Sequence, residues 1–236
     1  MIIFVGDIHG GFEIFDYLRE KLGDTPNVSI IQVGDFGIWP GEYGGRPGWE
    51  SAWKYTPWPV YFIDGNHEHF PTLKEAAGGR KEPIEMSKNL YYMPRGTIHT
   101  IDGVRFGFMG GGESIDQKWR TLGENWFYEE RIDEVDKWDF IDAVKESPID
   151  VFVAHVPPPA VIAELFPPLK LWEWGLDLNW SDVSSKHIEF IWNAIGKPPM
   201  YCGHMHRSCW SDGCRILDIN EAYTYDPAVT FRNNSR

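Results

Sequence analysis

Apolar positions along the chain follow two rhythms. Short, mainly apolar runs, mostly β-branched or aromatic, occur at Ile2 to Val5, Val28 to Val33, Pro59 to Ile63, Val104 to Met109, Asp150 to Ala154 and Met200 to Cys202. Such runs predict strands covered on both faces, as in parallel sheets. Between them apolar residues recur at helical spacing. Phe12, Phe15, Leu18 and Leu22, with charges between, predict a helix over Gly11 to Leu22 that ends near Gly23. Further helices are expected over Phe70 to Ala77, Glu129 to Ser147 and His187 to Ile195, with a short one near Trp49 to Tyr55. Leu90 to Tyr92 and Thr97 to Ile101 read as strands, the second turning back at Asp102-Gly103, a hairpin dipeptide. Trp210 to Ile219 and Ala222 to Phe231 predict terminal strands. Alternating strands and helices followed by hairpins fit an α/β fold of two stacked mixed β-sheets flanked by helices.

Two segments break the rhythm. Residues 36–58 and 157–180 are rich in Pro and Trp and read as long functional or capping loops. No linker, repeat or low-complexity tract interrupts the rest, so residues 1–236 are expected to form one domain with insertions near 36–58 and 157–180.

Composition narrows the class. The chain is 42% hydrophobic and 24% charged, values of a globular rather than a disordered protein. No run reaches the roughly 18 apolar residues of a membrane helix, and the N-terminus lacks a basic segment and a long apolar run, so a cytoplasmic protein without membrane partners is expected. Cys202, Cys209 and Cys214 are an odd number without zinc-finger spacing and read as structural thiols. A net charge of −13 argues against an extended nucleic-acid face, which needs clustered Lys and Arg. It leaves room for a local cationic pocket. The chain carries no signal for an oligomeric state.

The candidate chemistry lies at the ends of the apolar runs. Each of five turns places polar residues directly after a strand and a Gly or Ala: Gly6-Asp7-Ile8-His9, Gly34-Asp35, Gly65-Asn66-His67-Glu68, Ala154-His155 and Gly203-His204-Met205-His206. In α/β sheets ligands sit at the carboxyl ends of strands. Asp7, His9, Asp35, Asn66, His67, His155, His204 and His206 form an oxygen and nitrogen donor set without thiolates. Such a set suits first-row divalent ions. It is too large for one ion and fits two that share a carboxylate, a device for in-line displacement at phosphorus.

At these residues the chain resembles the calcineurin-like metallophosphoesterases, whose motifs Asp-x-His, Gly-Asp, Gly-Asn-His-[Asp/Glu], a lone His and Gly-His-x-His occur here in that order. Gly-Asn-His-Glu alone has a chance expectation of about one in several hundred in such a chain. The resemblance implies a four-layer α/β/β/α sandwich and a site holding two divalent metal ions, Mn foremost, with Fe, Zn, Co or Ni as alternatives. It implies that Asp7, His9 and His206 hold one ion, that Asn66, His155 and His204 hold the other, and that Asp35 bridges them. In-line attack by a metal-bridged hydroxide would follow, with His67 contacting phosphate and protonating the leaving group.

The chain departs from the family pattern after Gly34-Asp35. Many members carry a second Asp three residues on and then Arg-Gly; here the residues are Phe36-Gly37-Ile38-Trp39. Ile38 cannot orient His67, and no arginine follows at once. A site poor in protonation favours good leaving groups. An activated aryl phosphodiester fits that preference, and the resemblance, which is to small bacterial and phage members, implies a small phosphodiester or nucleotide, such as a 2′,3′-cyclic nucleotide, as substrate, with Asn66, His67 and Trp39 contacting it. A phosphomonoesterase or protein phosphatase, a dinucleoside polyphosphate hydrolase and a nucleotide-binding module with little turnover stay open as alternatives. Trp49 and Trp172 are further stacking candidates, and Gly110 to Gly112 is a candidate phosphate cradle.

Overall fold

The computed structural model describes residues 1–168, 170–211 and 213–227. One sheet contains β1 (Ile2–Val5), β2 (Ser29–Gln32), β3 (Val60–Phe62), β4 (Ile84–Ser87) and β5 (Leu90–Tyr92). The other contains β6 (Thr97–Ile101), β7 (Val104–Met109), β8 (Val151–Ala154), β9 (Met200–Cys202), β10 (Cys209–Ser211) and β11 (Cys214–Ile216). The last strand, β12 (Ala222–Thr224), returns to the first sheet. The strand orders are β12-β1-β2-β3-β5-β4 and β10-β11-β9-β8-β7-β6. Each sheet has four parallel central strands and an antiparallel strand at either edge.

Burial explains the mainly apolar runs. In β1, Ile2 and Phe4 face the opposite sheet, while Ile3 and Val5 face α1 (Glu13–Leu22). In β8, Val151 and Val153 face inward, while Phe152 and Ala154 meet the outer helices. Phe4 and Tyr201 stack between the sheets with ring centroids 3.8 Å apart. Leu73 of α3 (Phe70–Ala77) joins α1 outside the first sheet, and α4 (Glu134–Glu146) and α6 (Val183–Ala194) cover the second. Two mixed six-stranded sheets between helices are the expected sandwich. No helix among the described residues is long and apolar enough to cross a membrane.

Several boundaries differ from the sequence reading, each for a local reason. The helix expected from Glu129 starts at Glu134, because the Asp133 side chain caps it by accepting the Asp136 N–H, and Tyr128–Glu130 forms a 3₁₀ turn. The helix expected from His187 starts at Val183 behind the Asp182 cap. Residues 157–180 contain α5 (Pro159–Leu165), opened by a proline in its first turn. The helix near Trp49 is only α2 (Trp49–Ala52). The run from Trp210 folds as the β10–β11 hairpin. The predicted strand to Phe231 ends at Thr224, and residues 228–231 of it lie outside the described residues.

Candidate metal centre

Asp7 and His9 follow β1, Asp35 follows β2, and Asn66 and His67 follow β3; His155 follows β8, and His204 and His206 follow β9. Since β1, β2 and β3 are parallel neighbours, as are β8 and β9, the turns open on one rim. All eight residues meet there.

They form two groups of donor atoms. Asp7, His9, Asp35 and His206 each offer one atom within 4.8 Å of the others. His206 Nε2 lies 3.2 Å from Asp7 Oδ2 and 3.1 Å from His9 Nε2. In the second group, Asn66 Oδ1 lies 3.0 Å from His204 Nδ1 and 3.3 Å from His155 Nε2. Asp35 faces both: Oδ2 is 3.7 Å from His9 Nε2, and Oδ1 is 3.5 Å from His155 Nε2.

The donor chemistry fits cations. His155 Nδ1 lies 2.9 Å from the Val33 carbonyl, a hydrogen bond that turns Nε2 toward Asn66 Oδ1, so two atoms able to coordinate a cation converge. Asp7 and Asp35 are buried, and among the described residues neither pairs with Lys or Arg. Burial alone would raise the Asp35 carboxyl, but His155, His67, His9 and His204 draw it well below the usual range. Burial, then His155, pushes His204 down to about 3, so its ring is neutral. The hydrogen bond to Asp7 raises His206 above its ordinary value.

Local backbone explains the glycines of the motifs. A Cβ on Gly34 would sit 2.4 Å from His155 Nδ1, one on Gly65 2.1 Å from Asp35 Oδ1, and one on Gly203 1.9 Å from Asp7 Oδ1. Each glycine thus admits a donor from another strand. His9, Asp35, His204 and His206 all have positive φ, between 46° and 66°. Left-handed backbone at non-glycine residues is costly and concentrates at functional sites. Glu68 holds the loop after Asp35: its carboxylate accepts the N–H groups of Phe36, Gly37 and Ile38 at 2.6–3.0 Å. Burial and Asp35 push its pKa well up.

His67 donates its backbone N–H to Asp35 Oδ1 at 2.8 Å. Ile38 is buried in the core, as an apolar residue there must be. A residue that sequence reasoning missed stands beside the imidazole instead. Arg120 Nη2 lies 3.1 Å from His67 Nδ1 and 3.0 Å from Nε2, while its Nε forms an ion pair with Asp116 Oδ1 at 2.7 Å and Nη1 donates to the Asn125 carbonyl at 3.2 Å. Burial, with Arg120 and His9 adding to it against Asp35, pushes His67 down to about 4. Nothing in the local sequence marks Arg120, which lies eight residues after Gly112.

Beside His9 and His67 opens a cleft of about 170 Å³, walled by Trp39, Tyr43, Arg46 and Pro47. Trp39 donates Nε1–H to the His67 carbonyl at 3.1 Å and stacks on Tyr43 with centroids 3.8 Å apart. Trp49 is buried under the first sheet, which removes it as a stacking platform, whereas Trp172 is 69% exposed. The glycine cradle is also corrected: the Gly111 and Gly112 N–H groups are spent on the Asp64 and Glu130 carbonyls. The three cysteines are free thiols.

No curated protein matches the chain significantly. The family model of the calcineurin-like phosphoesterases matches residues 1–208, spanning every turn of the site. With that match and a buried Asp/His cluster able to hold divalent metal, the chain belongs to the calcineurin-like phosphoesterase family.

Proposed function

We propose that this metal-dependent phosphoesterase is a dinuclear phosphodiesterase acting on small or cyclic nucleotides and on activated aryl phosphodiesters. Asp7, His9 and His206 would hold one ion, Asn66, His155 and His204 the other, with Asp35 shared between them. Two divalent ions held there, Mn foremost, would supply Lewis acidity at the phosphoryl oxygens and lower the pKa of a water for in-line displacement. Arg120 presents Nη2 beside His67, where it can grip a phosphoryl oxygen with a charge-assisted hydrogen bond. The Trp39–Tyr43–Arg46 cleft offers one ester substituent a seat next to His67.

The observation that carries the leaving-group preference is the guanidinium facing His67 where a carboxylate would promote its protonation. A ring held neutral is a weak proton donor, and bound cations act on it in the same direction. Departing oxygens that need little protonation, or that leave a strained cyclic phosphate, then suit the site. Metal-free protein reloaded with Mn should hydrolyse an activated aryl phosphodiester with higher kcat/KM than the corresponding monoester. Preference for the monoester refutes the diester reading; failure of every first-row ion to restore hydrolysis favours a binding module. With a net charge of −13, cleavage is expected to be confined to small substrates.

A further inference from the structure

An amide side chain poses a problem for a metal centre. Asparagine has an oxygen and a nitrogen end of nearly the same shape, and only the oxygen can coordinate. Something must hold the NH₂ end of Asn66 away from the ion. Resting on the two-ion reading above, we infer that Ser114 and Glu130 are positioning residues that fix the Asn66 amide with its oxygen toward the metal.

The geometry leaves one arrangement of hydrogens. Asn66 Nδ2 lies 3.1 Å from Ser114 Oγ, and Ser114 Oγ lies 2.7 Å from Glu130 Oε2. The other carboxylate oxygen, Oε1, accepts the Ser114 backbone N–H at 2.8 Å and the Trp126 indole N–H at 2.9 Å. A carboxylate only accepts, so the single hydroxyl proton of Ser114 points to Glu130. Its lone pair then faces Asn66 and accepts from Nδ2. The amide oxygen is left toward His155 and His204. Ser114 and Glu130 are at most 1% exposed, so water does not compete for these bonds.

The far end of the relay is anchored too. The Glu130 carbonyl accepts the Gly112 N–H at 3.0 Å and Arg95 Nη2 at 3.1 Å. Arg95 also pairs with Asp64 at 2.7 Å, two residues before Asn66. Both ends of the relay are therefore tied to the turn they serve. Such outer partners typically change metal affinity by about 10- to 100-fold.

Glu130→Gln is the sharpest test because it keeps the shape and reverses the direction. Its Oε1 can still accept the Ser114 and Trp126 N–H groups, so its NH₂ faces Ser114 Oγ. The hydroxyl proton then loses its carboxylate acceptor and is satisfied by turning toward Asn66, which favours rotation of the amide to offer nitrogen to the ion. Ser114→Ala instead removes the constraint. The full-length chain, stripped by a chelator, is titrated with Co²⁺ by calorimetry and visible absorption at pH 8. At that pH Glu130, which burial pushes up to about 7, is ionised. Wild type should take up two ions in resolvable steps. In Glu130→Gln one step should weaken about 10- to 100-fold and the other should hold, with a smaller shift of the same step in Ser114→Ala. If either variant, melting like wild type, shows no shift or an equal shift of both steps, the inference fails. If wild type itself binds fewer than two ions, the two-ion reading fails instead.

Discussion

Arg120 reverses the charge that a carboxylate at position 38 would bring to His67. Replacing it with Ala should lower kcat/KM for phosphodiesters about 10- to 100-fold, the scale of one charged hydrogen bond. Lys should recover only part, because it lacks the planar fork that reaches Asp116, Asn125 and His67 together. Metal stoichiometry should not change in either variant. His67→Ala should cost less with activated leaving groups than with poor ones; equal losses across a leaving-group series would remove the acid role. The histidines also predict an order of metal loss. His206, raised by Asp7, takes up its proton at higher pH than His204, held near 3, so acidification should release the ion beside Asp7 first. Stoichiometry followed from pH 7 down to pH 5 checks this, and simultaneous release would contradict it.

The loop Phe36 to Ile38 owes its shape to one carboxylate. Glu68→Ala would leave three buried N–H groups without partners and should destabilise the fold by about 3 kcal/mol or more. A urea midpoint within error of wild type would refute that role. This loop also shows where the sequence was legible. The motif Glu68 was visible, but its partners lie about 30 residues upstream and no local pattern joins them. Strands buried on both faces were readable because burial forces mainly apolar runs; β7 (Val104–Met109) and α3 (Phe70–Ala77) match the sequence reading residue for residue. The start of α4 misled because Glu129 and Glu130 resemble a charged helix turn, whereas Glu130 is spent on Ser114 and Trp126. β4 was missed because an edge strand with one buried residue carries almost no pattern. The clustering of the donor residues was legible from their place after strands. Arg120 was not, since nothing local distinguishes it from a solvated arginine.

At the scale of the whole molecule, the donors converge from residues 7 to 206, so ion binding acts on the complete fold. Only the folded chain assembles both groups of atoms, and each ion at 100 times its dissociation constant adds about 2.7 kcal/mol. Loading with Mn should therefore raise Tm by about 5–10 °C per ion in a chain of this size, and a chelator should reverse it. A Tm indifferent to every first-row ion would oppose the metal reading. The pairing of β1 with β12 has a consequence for biosynthesis. Ile3 finds its antiparallel neighbour at Thr224, so a ribosome adding about 5–20 residues per second delivers that neighbour roughly 10–45 s after the first strand emerges. Throughout that interval the nascent polypeptide carries a naked hydrophobic border open to wrong partners. Stalled chains released before Ala222 should accordingly be bound by chaperones or precipitate, and supplying the missing stretch as a peptide should relieve both.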